Sequence, residues 1–222
     1  MSIVVLKVGG ASTGGVADAV HALRALGDDV VVVHGAGPQI TEEMARRGIE
    51  AQFVAGRRVT TPEVLDVVRK SLAAVNAAVC AAIGDAAVPL AGDEIGLEAD
   101  QVPELGLVGR PYASAPQAVL DALAAGCIPV VSPLARGPLN VNADEAASAL
   151  AVGIGAARIQ FLTDVAGLYH EGELVRSISA DRAETLVGDG VFDGGIVPKL
   201  LAAAGAAKRG VAAEIGVTEV FA

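Results

Sequence analysis

The chain has 222 residues, enough for one large domain or two small ones; 53% are hydrophobic and 3% aromatic, so any core is built from Val, Ala, Leu and Ile. A formal net charge of −10 argues against nucleic acid or an anionic membrane as the main partner, while a small anionic substrate stays possible because local cations dominate at short range. The short apolar run before Lys7 does not read as a signal peptide and no stretch of about 18 apolar residues reads as a membrane span, so the expected location is the cytoplasm, with Cys80 and Cys127 as small buried hydrophobes.

In chain order, strand signals fall at IVVLKV (3–8), DVVVVH (29–34), IPVVSP (128–133) and RIQFLTD (158–164). Near-continuous apolar runs of this kind suit strands buried on both faces of a parallel sheet. Between and after them lie helical patterns at 16–26, 40–48, 61–84, 114–126, 143–155 and 198–210. Thr61-Pro62 marks a helix start, and Gly84, Gly126 and Gly210 sit where C′ glycines belong. Residues 85–112 are turn-rich and read as a small antiparallel excursion, and 168–178 as a hairpin with Gly172 at its tip. Alternating β and α elements predict a three-layer α/β/α sandwich with a mainly parallel central sheet.

Two turns favour anions. In VVVVHGAGPQI a buried strand runs into Gly35, Ala36 and Gly37 and then a Pro-led helix, an arrangement open to a dinucleotide pyrophosphate, an ATP phosphate or a carboxylate. The dinucleotide fingerprint fails, because its third glycine position is Ile40 and no acidic residue ends a second strand about 20 residues on. In VLKVGGAS, Lys7 precedes Gly9 and Gly10, whose backbones can approach an anion closely; the Walker A pattern is absent. Two such turns in one sheet suggest two negative groups brought together.

Arg57 and Arg58 follow Gly56 just before a helix, and arginine suits bidentate recognition of a carboxylate. In PLNVNADEAAS, Asn140, Asn142 and Asp144 alternate on extended backbone and so share one face. Asp144 there is either a helix cap or part of a polar site that fixes nearby ammonium groups. Thr163-Asp164 end a strand, where ligands of α/β folds bind, and Lys199 opens a helix after Gly194-Gly195. His21, His34 and His170 lack metal-ligand spacing, and no Ser-His-Asp order or C-x-x-C pair stands out, so no metal site is expected in the protein itself.

The ordered set Lys7-Val8-Gly9-Gly10, His34-Gly35-Ala36-Gly37, Gly56-Arg57-Arg58-Val59-Thr60, Asn140-Val141-Asn142-Ala143-Asp144, Leu162-Thr163-Asp164-Val165-Ala166-Gly167 and Gly194-Gly195 with Lys199 resembles the amino acid kinase family over nearly the whole chain. The resemblance implies a carbamate kinase-like fold in a single domain, with residues 1–140 carrying the substrate site and dimer interface and 141–222 the nucleotide. Within the family it points to members that use ATP and Mg2+ to phosphorylate the side-chain carboxylate of N-acetyl-L-glutamate, the second step of arginine biosynthesis. Kinases of carrier-linked glutamate or aminoadipate, and non-catalytic relatives, are the alternatives. The implied roles place Lys7 and Lys199 on the transferring phosphoryl group and Asp144 between them. Gly35, Ala36, Gly37, Arg58, Asn140 and Asn142 would hold the substrate. Gly9, Gly10, Thr163, Asp164, Gly167, Tyr169, Phe192 and Asp193 would hold the nucleotide.

Four departures from the family pattern carry expectations. Ala36 replaces a glycine and works only if its φ is negative. The short segment after Gly10 trims the lid over the substrate. No helix precedes the first strand, which implies a homodimer lacking one form of arginine feedback. The chain stops at Phe221-Ala222 without the family's closing strand, which leaves the nucleotide side less enclosed.

Overall fold

The computed structural model describes residues 2–9, 15–163 and 165–222. Gly10, the segment after it and Asp164 lie outside the described residues. In chain order the elements are β1 (Ile3–Val8), α1 (Val16–Ala25), β2 (Asp29–His34), α2 (Gly37–Arg46), β3 (Phe53–Val54), β4 (Arg57–Arg58), α3 (Pro62–Ile83) and β5 (Ala87–Ala91). Next come α4 (Gly92–Ile95), β6 (Ala99–Gln101), β7 (Val108–Pro111), α5 (Gln117–Ala124), β8 (Ile128–Ser132), β9 (Leu134–Ala135) and β10 (Leu139–Val141). The chain continues with α6 (Ala143–Gly153), β11 (Arg158–Phe161), β12 (Leu168–His170), β13 (Glu173–Val175), β14 (Ser177–Ser179), α7 (Ala180–Gly188), α8 (Ile196–Ala207), β15 (Ala212–Ile215) and β16 (Thr218–Phe221).

An eight-stranded sheet in the order β14-β16-β15-β11-β1-β2-β8-β5 forms the middle layer. Strands β11, β1, β2, β8, β5 and β15 run parallel, and β16 turns back antiparallel on β15. Strand alternation assigns the two faces. Val4, Leu6, Val8, Val30 and Val32 pack under α1, α2 and α3. Val5, Val31, Val33, Ile159 and Phe161 pack under α6, α7 and α8. Each of these fully buried side chains stabilises the fold by about 1.5–3 kcal/mol relative to exposure, which is why valine runs commit to the middle of the sheet. Lys7 continues the Val5 face, toward α6 and α8, whereas His34 continues the Val32 face, toward α3.

Local chemistry explains the helix ends. The Thr61 hydroxyl accepts from Val64 N–H (3.2 Å), Pro62 opens α3, and Gly84 ends it at φ 100°. The tip of the β12–β13 hairpin places Glu171 (φ 52°) and Gly172 (φ 82°) in the left-handed region that a two-residue turn requires.

Three differences from the sequence reading stand out. Residues 87–91, expected within an antiparallel excursion, form the parallel edge strand of the main sheet; only β6 and β7 beyond them pair antiparallel. AVPLA has few β-branched residues and contains Pro89, which an edge strand tolerates and a central one does not. Helix α7 carries a weak sequence signal because its apolar stripe, Ala183 and Leu186, is narrow, although Ser179 caps it through Arg182 N–H. Cys80 and Cys127 are half-buried rather than buried. Among the described residues no helix is long and apolar enough to cross a membrane.

Candidate active site

Strand β1 has β2 on one side and β11 on the other, so the chain switches direction around it. Ligands of open α/β sheets bind beyond the carboxyl ends of the strands at such a point. Lys7 projects from this end. Its ammonium lies 2.8 Å from Asp144 Oδ1, at the start of α6, and the Lys199 ammonium, from the first turn of α8, lies 3.1 Å from the same oxygen. All three side chains are at most 12% exposed. Among the described residues, two cations against one carboxylate leave an uncompensated positive charge in a low-dielectric pocket, which an anion would complete. Burial, reinforced by the neighbouring Lys199, holds the Lys7 pKa below the ordinary lysine value, with Asp144 opposing the shift.

Asp144 does not cap α6. Asn142 does, its Oδ1 accepting from Asp144 N–H (2.8 Å) and Glu145 N–H (3.1 Å), which leaves the Asp144 carboxylate for the two lysines. Thus Asn142, expected to touch substrate, orients the helix that carries Asp144 while it lines the cavity.

That cavity, of about 270 Å³, is lined by Lys7, Gly35, Ala36, Gly37, Arg57, Arg58, Asn140, Asn142 and Asp144 among others. It therefore gathers every residue expected on the acceptor side. Ala36 has φ −143° and ψ 28°, so the alanine meets the condition of a negative φ expected for this loop. Its carbonyl starts α2 by accepting from Ile40 N–H, and Gly37 is the first helical residue with open space where a Cβ would be. The loop thus lies at the positive end of a ten-residue helix.

Arg58 closes the far side. It is 6% exposed, and its neighbours are uncharged: Thr41 Oγ1 at 2.8 Å, the Gly37 carbonyl at 3.3 Å, Met44 Sδ at 3.2 Å and the Phe53 ring 4.5 Å below the guanidinium. Burial lowers its pKa, and among the described residues no carboxylate counters it. A buried guanidinium without an anionic partner is costly unless a ligand supplies the charge. Arg57, next in the strand, is already paired with Glu145 at 2.6 Å.

Sequence reasoning missed several supports because their partners are remote in the chain. Thr60 is fully buried, donates to the Arg58 carbonyl (2.7 Å) and accepts from Asn140 Nδ2 (3.0 Å), joining the arginine strand to the asparagine strand. His34 is also fully buried, with its Nε2 3.2 Å from Ser132 Oγ and 3.1 Å from Asn76 Nδ2. Burial lowers its pKa to about 4, so it is neutral at physiological pH, a hydrogen-bonding hub beneath the glycine loop. The only sequence cue was a polar residue at one end of an all-valine strand.

The other end of the site differs. A second cavity, of about 340 Å³, is lined by Gly9, Leu162, Thr163, Val165, Gly195, Ile196 and Lys199. It meets the first through Lys199 and Asp144, and it sits at the N-terminus of twelve-residue α8, a positive helix end that suits phosphate. Gly167 is buried for packing: a Cβ there would lie 2.6 Å from Thr218 Oγ1. Tyr169, Phe192 and Asp193 lie outside this lining; Tyr169 is exposed and Phe192 packs edge-on to His170 at 6.2 Å. Among the described residues no group of three or more His, Cys, Asp or Glu could hold a metal ion.

The model of the amino acid kinase family matches residues 2–216. The chain belongs to the amino acid kinase family. It is 41% identical to the acetylglutamate kinase of Rubrobacter xylanophilus, over 97% of this chain and 88% of that one. It is 42% identical to the acetylglutamate kinase of Beutenbergia cavernae, over 95% and 76% respectively. Among solved structures, smu.665 from Streptococcus mutans superposes with a TM-score of 0.91 at 24% identity, covering 99% and 98% of the two chains, which shows a shared fold. The amino acid kinase fold thus accounts for the three-layer architecture, and the Lys7–Asp144–Lys199 cluster lies where its two cavities meet.

Proposed function

We propose that this protein transfers the γ-phosphoryl group of MgATP to the side-chain carboxylate of N-acetyl-L-glutamate, giving N-acetyl-L-glutamyl 5-phosphate, the second step of arginine biosynthesis. The observation that carries the reading is the buried Arg58, without a carboxylate partner among the described residues, at one end of a cavity whose other end is the Lys7–Asp144–Lys199 cluster. A dicarboxylic amino acid has two anions to place in such a cavity, and the names of the relatives agree. Arg58 takes the α-carboxylate by charge-assisted hydrogen bonds, and Asn140 lies beside it. The Gly35–Gly37 amides hold the reacting carboxylate.

The acceptor needs no general base, since a carboxylate is ionised at pH 7. Its oxygen forms a bond to the γ-phosphorus as the bond to the β–γ bridging oxygen breaks and ADP leaves. Lys7 and Lys199 approach the transferring group from two elements and neutralise its charge, while Asp144 keeps both ammonium groups in place. Gly9, Thr163 and the N-terminus of α8 hold the phosphates, and Gly10, Asp164, Gly167, Tyr169, Phe192 and Asp193 complete the proposed nucleotide site. Mg2+ would arrive with the nucleotide and would supply charge neutralisation on the transferring phosphates.

We also infer a cytoplasmic homodimer. Along α3, Ala73, Ala74, Ala77, Ala78, Ala81 and Ala82 are exposed, and β5 lies at the sheet edge, so this apolar helix face suits a second copy. The hydroxamate assay tests the reaction, with N-acetylglutamate set against glutamate and aminoadipate. Turnover of N-acetylglutamate alone supports it, and turnover only of the unacetylated acids sinks it.

A further inference from the structure

Among the described residues, strands β3 and β4 pair only with each other, as a hairpin outside the central sheet. Ala55 (φ 47°) and Gly56 (φ 76°) make its tip, and Phe53 and Val54 are more than half exposed. Two adjacent arginines link it to the body. Successive side chains of a strand point to opposite sides. Arg58 reaches α2 through Thr41, Met44 and the Gly37 carbonyl, and Arg57 reaches α6 through Glu145. The two-residue strand thus ties the helix of the glycine loop to the helix of Asp144. The tip also lies close to α8, since a Cβ on Gly56 would be 3.7 Å from Pro198, the neighbour of Lys199.

The Arg57–Glu145 pair is half made. Arg57 Nη2 donates to Glu145 Oε1 at 2.6 Å, whereas Arg57 Nε and Glu145 Oε2 are both buried and have no partner among the described residues. Nε and Nη2 are the two prongs with which a guanidinium binds a carboxylate side-on, so the unused donor and acceptor are the matching second half of a bidentate pair. We propose that Arg57 and Glu145 are a latch whose second hydrogen bond forms when the acceptor docks on Arg58, setting the hairpin and Asp144 in register for transfer. The proposal rests on the function inferred above. Glu145 can transmit the shift because it follows Asp144 directly and its N–H shares the Asn142 cap. Burial holds the Glu145 carboxyl above the usual carboxylate range, with Arg57 only partly opposing, as expected of a pair not fully engaged.

Both are then positioning residues, and the test separates positioning from plain stability. Steady-state kinetics on the full chain are measured for the parent, Arg57→Gln, Glu145→Gln, Arg57→Lys and the exchange Arg57→Glu with Glu145→Arg, with melting temperatures alongside. The latch predicts about a tenfold rise in KM for N-acetylglutamate and a fall in kcat for either glutamine variant, with KM for ATP unchanged. It predicts that Arg57→Lys keeps the parent's melting temperature but not its acceptor KM, because an ammonium lacks the two-pronged fork. It also predicts partial recovery in the exchange. Variants that shift only the melting temperature, or an Arg57→Lys that matches the parent in KM and kcat, overturn the latch. Absence of parental turnover with N-acetylglutamate overturns the substrate reading itself, and the latch with it.

Discussion

The two cavities that meet at Asp144 are built on different principles. At the acceptor end, charge is enclosed: Arg58 and Lys7 are each 6% exposed, and Thr60 and His34 are fully buried under the loop and strands that carry them. At the nucleotide end the expected aromatic and acidic residues, Tyr169 and Asp193, are exposed, and anion attraction comes from backbone, from the start of α8 and from Lys199. The difference is physically sensible for the proposed reaction. A small dianion must be told apart from close analogues, which takes fixed, desolvated partners whose loss is costly. A triphosphate carries enough charge to be held by a helix end and a lysine.

Removing a lysine where the cavities meet should have the largest effect. Lys7→Ala and Lys199→Ala should each lower kcat by about 10²–10³-fold, the loss typical of one charge-stabilising donor. Turnover equal to the parent's in both variants would break the proposed mechanism. The acceptor end should carry its own pH sensitivity. The unfolded His34 binds a proton as pH falls through its ordinary value of 6.5, while the folded, buried ring resists until about 4. Stability attributable to this residue is therefore complete above 6.5 and declines as pH falls between these values, by up to about 3 kcal/mol. Denaturation of His34→Gln across that window should show a flatter dependence than the parent; parallel curves would exclude His34 as the cause.

Arg58→Gln sharpens the contrast between the ends. A charged hydrogen-bond pair contributes about 1.5–3 kcal/mol, so KM for N-acetylglutamate should rise about 10–100-fold while KM for ATP stays constant. A matched rise in both would mean that the cavities do not divide the substrates as proposed. The smallest effect belongs to Thr60→Val, which keeps the shape but removes the hydroxyl that Asn140 and the Arg58 carbonyl share. About 1 kcal/mol, or fivefold in acceptor KM, is expected.

How legible the site was in the sequence varied with how local each device is. Lys7, the glycine turns and the Asn140–Asp144 run stood out because strand ends, glycine positions and alternation are set by neighbours in the chain. So did the core strands, since four valines in β2 leave few places but the middle of a sheet. The roles of Glu145, Thr60 and Asn76 were invisible for the opposite reason. Each acts through a partner 42–88 positions away, and a lone threonine or glutamate carries no local signature of that.

Composition, periodicity and turn residues therefore determined the layers, the buried strands and the two anion-friendly turns, because those depend on short-range sterics and on the solubility of side chains. Tertiary structure decided the rest. It placed β5 at the sheet edge and made Asn142 the cap, so that Asp144 could face two lysines. It gave Ala36 a negative φ, and among the described residues it left Arg58 buried without a counter-charge while its neighbour Arg57 found one. Whether a charge is compensated depends on what the fold brings within a few ångströms of it, and neighbours in sequence do not fix that distance.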